Sequence, residues 1–343
     1  MVSQAISIVL SIFIMIALGA WLARIGWLNE AGAALVSQLV VKVALPFMIV
    51  NSLFTSFDRA TLWAALPTLA APLISVAIGV WLGRLVGRLT GIPENRRGAF
   101  ASMFAFSNSV FIGVPVSLAL FGDGALPYTL IYYIANTTLF WSVAVRLLAR
   151  DGGQPAPAGK LADVPRYLAA RLKGQAGAAD EPQFAAARQA LSAVRKALPL
   201  PLVTFFACAA LILLGVRLPD FALTAARYVG GMVTPLSLFF IGALMMRMLS
   251  RGPVRWQKGF SWVLLGRFVV SPLVMLALSR VFPMSAALRD VLIIQASMPV
   301  MSSTSIVADS LGADAEYVAG ATTLSTMVSL VAIPLYMMIL RGL

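Results

Sequence analysis

Apolar residues run along this chain in long blocks, and polar residues collect between the blocks. A bilayer's hydrocarbon core is about 30 Å thick, so a helix needs about 20 mostly apolar residues to cross it. On that measure the pattern predicts ten spans. They lie at 4–24, 34–54, 62–83, 98–121, 126–148, 199–216, 228–247, 259–281, 286–308 and 317–340. A polar stretch, 149–198, separates five spans from five. Its start, Gly152-Gly153-Gln154-Pro155-Ala156-Pro157, is a linker composition. Its end, Phe184 to Lys196, reads either as a basic amphipathic helix on the inner leaflet or as a solvated linker with a helical tail.

Two spans break the apolar pattern in a similar way. One carries Phe106-Ser107-Asn108-Ser109-Val110-Phe111-Ile112-Gly113-Val114-Pro115. The other carries Gln295-Ala296-Ser297-Met298-Pro299-Val300-Met301-Ser302-Ser303-Thr304. Each sets a proline and small polar residues inside a bilayer-length block. In hydrocarbon an unpaired backbone group costs several kcal/mol, so a helix breaks there only where protein or a water-filled cavity satisfies it. The breaks are expected at Gly113 and Pro115 in the fourth span and at Pro299 in the ninth. Helices would then restart at Val116 and near Val300.

Composition agrees with the pattern. The chain has 343 residues, 60% hydrophobic and 11% charged, with a mean hydropathy of +0.90. Soluble domains carry about 25% charged residues. The first block lacks a basic leader and a cleavage site, so it is expected to be a retained span rather than a signal peptide. Cys208 is the only cysteine, which rules out an internal disulfide, and its apolar surroundings suit packing.

The net charge of +13 suggests nucleic acid at first sight, but the basic residues cluster at span ends. Eighteen of the 26 Lys and Arg fall on one side: Arg24, the Arg84–Arg97 group, the central stretch from Arg146 to Lys196, and Arg247 to Lys258. Six fall on the other: Arg59, Arg217, Arg227, Arg280, Arg289 and Arg341. Basic excess marks the cytoplasmic face. The expected protein is thus a multi-pass protein of the inner (plasma) membrane. Both termini lie outside, the central loop is cytoplasmic, and nucleic acid is not a partner. One cytoplasmic loop dissents, with Asp309, Asp314 and Glu316 and no basic residue.

The halves repeat. Pro46 in the second span corresponds to Pro235 in the seventh, Pro72 to Pro272, and Pro115 to Pro299. Asn136-Thr137-Thr138-Leu139 corresponds to Ala321-Thr322-Thr323-Leu324. Five spans per half is odd, so the second half is inverted relative to the first. Inverted repeats with interrupted helices hold their site near the midplane, at the repeat interface. The expected organisation is a first repeat over 1–148, a loop over 149–198 and a second repeat over 199–343.

Ser107, Asn108 and Ser109 on one arm, and Ser297, Ser302, Ser303 and Thr304 on the other, are the candidate contacts. Asn136, Thr137 and Thr138 of the fifth span, and Thr322, Thr323, Ser325 and Thr326 of the tenth, either line the same cavity or hold helices together. Restarting helices present free N–H groups and a positive dipole end, which favour an anion. Asn108 adds amide donors. Lys42 and Arg267 lie inside spans. Each either snorkels, joins a structural pair, or draws an anion toward the site. There is no histidine, and no carboxylate lies in a span interior, Asp309 coming nearest. Hydrolase sets, metal sets and phosphate loops are not evident, so neither catalysis nor a cofactor is expected. An organic-anion carrier is the leading class. A cation or proton antiporter and a non-transporting sensor or membrane enzyme remain the alternatives.

Asn108 through Pro115, Met298-Pro299, Leu311-Gly312-Ala313-Asp314, Ala321 through Thr326 and the pair Arg267…Pro272 resemble the auxin efflux carrier family, in its bacterial malonate-transporter-like branch. The resemblance covers nearly the whole chain. It implies an all-α, ten-helix fold of two inverted repeats, with broken helices 4 and 9 crossing as in bile-acid symporters. It implies a scaffold of spans 1, 2, 6 and 7 and a transport part of spans 3–5 and 8–10. It implies elevator motion, a homodimer among membrane lipids, and carboxylate substrates. An asparagine before the first crossing lies near the substrate carboxylate in that family, and Asn108 matches it. The central loop is short, which favours a small dicarboxylate such as malonate over an indole carboxylate such as auxin.

Overall fold

The computed structural model describes residues 2–153, 199–250 and 255–342. The amphipathic helix expected at 184–196 lies outside the described residues. Among these, all regular structure is helical except one two-residue antiparallel bridge between Ser107 and Val300. The helices are α1 (Val2–Arg24), α2 (Glu30–Leu39), α3 (Leu45–Ser56), α4 (Arg59–Ala65), α5 (Ala70–Leu89), α6 (Arg97–Ala105), α7 (Val114–Phe121), α8 (Leu126–Leu139) and α9 (Val145–Asp151). After the central stretch come α10 (Leu200–Leu213), α11 (Asp220–Gly231), α12 (Val233–Ser250), α13 (Phe260–Leu265), α14 (Ser271–Val281), α15 (Ala286–Ala296), α16 (Ser303–Ser310) and α17 (Ala315–Gly342).

Several of these join end to end. Glu30–Ser56, Arg59–Leu89, Asp220–Arg247, Phe260–Val281 and Ala315–Leu340 are long and apolar enough to cross a bilayer, and shorter apolar helices accompany them. The protein is a multi-pass helical membrane protein.

Proline governs the joints. Wide turns of the π type at Val40–Ala44, Ser109–Gly113 and Gly266–Val270 each end two residues before a proline: Pro46, Pro115 and Pro272. A proline has no N–H, and its ring meets the carbonyl four residues back. One extra residue in the preceding turn moves that carbonyl aside. These prolines therefore bend the local ladder without breaking the helix. Expecting a break at Gly113 and Pro115 was wrong for this reason, and Pro115 and Pro299 are not structural counterparts. The fourth segment breaks at Phe106–Asn108, eight residues before Pro115, whereas Pro299 sits inside the break of the ninth.

Two buried apolar clusters organise the packing. The first joins α5, α6, α8 and α9 to α13–α17 through Phe100, Phe104, Tyr132, Phe260, Leu292 and Tyr317. The second joins α2–α3 to α10 and α12 through Leu45, Ile49, Phe205, Val233 and Leu238, and reaches Val110, Phe111 and Val114. Helix α1 lies along α12 at backbone contact. A Cβ on Gly242 would fall 2.0 Å from the Ile16 carbonyl oxygen, and one on Gly19 would fall 2.4 Å from that of Phe239. Small residues permit this approach where no hydrophobic force drives helices together.

At the end of the bundle nearest the central stretch, polar contacts tie three loops together. Arg96 lies 2.5 Å from the Asp314 carboxylate, donates to Gln257 Oε1 at 3.1 Å and covers the Tyr317 ring at 4.9 Å. Asp151 accepts the Gly98 and Ala99 amides at 3.0 and 2.6 Å and so caps the start of α6. Burial raises its pKa above the usual carboxylate value, partly offset by those two hydrogen bonds. The dissenting acidic loop thus has its basic partner on the α5–α6 loop.

Candidate functional site

The two broken segments meet. Asn108 N donates to the Pro299 carbonyl at 2.8 Å, and Met301 N donates to the Phe106 carbonyl at 3.2 Å. Each extended strand of three or four residues thus gives its partner what a helix would have supplied. Segment α6 ends, crosses and resumes at Ser109. Segment α15 ends, crosses and resumes at Ser303 rather than near Val300.

Side chains hold both strands from behind. Asn136 of α8 accepts from Ser107 N at 3.2 Å and donates to the Ser107 carbonyl at 3.0 Å, as a neighbouring β-strand would. It is fully buried. Ser325 of α17 accepts from Val300 N at 3.1 Å. Asn136 therefore supports the crossing and stands behind Ser107, outside the cavity lining. Thr322, Thr323 and Thr326 turn their hydroxyls back to carbonyls of their own helix.

Asn108 links the arms. It is 3% exposed; its Nδ2 donates to Ser302 Oγ at 2.8 Å, and its Oδ1 accepts from Phe111 N at 3.3 Å, capping the resumed helix. A cavity of about 90 Å³ opens beside it. Ser107, Asn108, Ser109, Thr137 and Ser303 supply its polar lining, and Val41, Tyr133, Trp141 and Met301 supply apolar walls. Among the described residues, buried Ser107 Oγ has no hydrogen-bond partner. The cavity abuts the first residues of both resumed helices, where N–H groups lack intrahelical acceptors.

Other expected residues lie elsewhere. Ser297 bonds the Ile294 carbonyl, and Thr304 is buried away from the cavity. Gly113 faces Gln295, whose Oε1 would lie 2.3 Å from a Cβ there. Gln295 donates to Ser117 Oγ at 2.9 Å and is fully buried. Gln295 was not among the candidate contacts, although a glutamine in mid-span is itself a signal. Lys42 is exposed and donates to Gln38 Oε1 at 3.0 Å, outside the cavity. Cys208 is buried in packing.

Arg267 does not snorkel. Its side chain is fully buried. Nε donates to the Met298 carbonyl at 3.0 Å. Nη1 reaches the carbonyls of Ala105 at 2.7 Å and Phe104 at 3.4 Å, and Ser271 Oγ at 3.1 Å. Nη2 reaches those of Ala296 at 2.7 Å and Met298 at 2.9 Å. The guanidinium thus caps the C-terminal ends of α6 and α15 together.

A second cavity, about 370 Å³, is lined by Asn51, Ser52, Thr55, Leu118, Asp123, Leu126 and Arg227. Three segments order the two cavities: Val41 and Leu45 before Asn51–Thr55, Ser109–Phe111 before Leu118, and Leu126 before Tyr133–Trp141. About ten helical residues, or about 15 Å, separate them along α2–α3.

The family described as membrane transport protein matches residues 4–337. An uncharacterised transporter of Methanothermobacter thermautotrophicus is 24% identical over 335 residues, covering 97% of each chain. Another, of Methanocaldococcus jannaschii, is 21% identical over 340 residues, covering 96% of each.

Proposed function

Because the chain belongs to the auxin efflux carrier family of membrane transport proteins, we propose that it is a secondary carrier of small organic anions, with malonate-like carboxylates as cargo. The carrying observation is the polarity of the crossing. Two helix N-termini adjoin the cavity, and each contributes about half a positive charge. The two opposing C-termini are neutralised by Arg267. The field left in the cavity is positive, which suits a carboxylate. Asn108, Ser107, Thr137 and Ser303 supply donors. The volume of about 90 Å³ matches a small acid better than a bicyclic indole. Among the described residues no acidic side chain lines the cavity, which argues against a cation antiporter.

In this reading the ten helical segments form two inverted repeats of five. The scaffold is α1, α2–α3, α10 and α11–α12, and the remaining helices form the mobile part. The two buried clusters support that division, since the first lies wholly within the mobile part. The crossing cavity faces the cytoplasm and the larger cavity faces outward. An elevator step moves the crossing between them, in a homodimer within the plasma membrane.

A thermal-shift screen of the purified protein against mono- and dicarboxylates tests the cargo. A ligand at 100 times its Kd stabilises by about 2.7 kcal/mol. Proteoliposome uptake of any hit, with wild type and Asn108→Ala, tests the site. The variant is expected to lose about tenfold or more in affinity, since a buried amide donor is removed. Equal affinity and rate in the two proteins would move the site elsewhere, and no stabilisation across the panel would reject carboxylates.

A further inference from the structure

We propose that the larger cavity is a second ligand site, for a small dipolar molecule of the amino-acid class, and that its occupancy clamps the crossing in place. The site stands on its own geometry, and the clamp rests on the anion-carrier reading. The cavity, about 370 Å³, falls in the usual range for small-ligand pockets, about 300–1,000 Å³. Among the described residues its lining holds two charged groups of opposite sign, Arg227 of α11 and Asp123 between α7 and α8. Neither forms a salt bridge among the described residues. The Arg227 guanidinium rests 5.6 Å from the centre of the Tyr228 ring. Ser52 of α3 adds a further polar group to the lining. It is 2% exposed, and its Oγ has no hydrogen-bond partner among the described residues. An unpaired buried hydroxyl is costly unless a bound molecule meets it.

The two charges select the ligand. An anion gains Arg227 but meets Asp123, and a cation gains Asp123 but meets Arg227. A molecule carrying both signs gains twice, and repulsion disfavours the singly charged forms. Ser52, Asn51 and Thr234 offer hydrogen bonds to its polar ends. The wall that carries Arg227 is fixed. A Cβ on Gly230 would fall 2.7 Å from Met48 Cα, so α11 lies on α3 at backbone contact. Asp123 and Leu118 complete the lining from the part proposed to move. A ligand held by both Arg227 and Asp123 therefore ties the two parts together and favours one arrangement.

Melting of the purified protein with glycine, β-alanine and γ-aminobutyrate tests the site. Glycinamide and propylammonium, which lack the carboxylate, are the controls. At least one of the three amino acids is expected to raise the melting temperature by about 2 °C or more at saturation. The controls should leave it unchanged. R227Q and D123N should each weaken the amino acid about tenfold or more, while Asn108→Ala should keep its affinity within about twofold. Arg227 and Asp123 are exposed, so those two variants decide even where Asn108→Ala does not fold. No stabilisation by any of the three would overturn the site. So would unchanged affinity in R227Q or D123N, or a loss confined to Asn108→Ala, which would place the ligand at the crossing. In proteoliposomes the amino acid should cut maximal carboxylate uptake severalfold and leave KM unchanged. Full uptake at saturating amino acid, or a raised KM, would overturn the clamp. If no carboxylate is carried, the anion-carrier reading fails, while the melting arms still decide the site.

Discussion

Asn136 and Asn108 are the same residue type a few ångströms from the same strand, yet their work differs. Asn136 uses both ends of its amide on the Ser107 backbone. Asn136→Ala orphans a buried N–H and a buried C=O, each costing about 1–3 kcal/mol. Melting of the detergent-solubilised variant should therefore fall by about 5 °C or more. Carboxylates should still bind wherever folded protein remains. Asn108 faces the cavity, so its loss should act chiefly on affinity. Lys42 is a control for charge alone. It is exposed and bonded to Gln38, so Lys42→Ala should leave affinity within about twofold, as for exposed charges generally. A tenfold loss would return Lys42 to the electrostatic role first expected of it.

At the scale of elements, backbone approach limits substitution more than side-chain chemistry does. Gly242 of α12 meets the Ile16 carbonyl of α1 with no room for a Cβ. Gly242→Val should separate these helices and destabilise by about 1–3 kcal/mol or more through overpacking. A melt that matches wild type would show that α1 slides freely along α12. Prolines at element joints were legible in the sequence, but their consequence was not. Pro46, Pro115 and Pro272 look like breaks in one dimension. Each is absorbed by a wide turn, because a helix inside a bundle keeps its hydrogen bonds wherever one extra residue suffices.

At the scale of the molecule, alternating access requires the crossing to move against α2–α3. Val41 and Met301 line the same cavity from opposite sides of that boundary. In a Cys208→Ala background, a disulfide between cysteines at 41 and 301 should stop uptake, and reduction should restore it. Uptake that survives the bridge argues against sliding at this boundary. Orientation has its own check. A membrane-impermeant maleimide should label Asp123→Cys on intact cells and Lys258→Cys only after permeabilisation. The reverse pattern would invert the charge-based topology.

The helical multi-pass class and the presence of two interruptions were legible in the sequence. Bilayer thickness and the cost of an unpaired peptide group in hydrocarbon act on each segment locally. Asn108 was legible as well, being a strong hydrogen-bonding amide in an apolar block. The point at which each helix opens depended on tertiary structure, because a backbone group can leave its helix only where another chain segment meets it. Pro299 and Phe106, 193 residues apart, provide that meeting. The work of Arg267 was decided there too. One-dimensional reading sees a long basic side chain able to reach water. Only the folded bundle brings two helix C-termini within its reach and buries them together, making the carbonyls, rather than the interface, the better solvent for its charge.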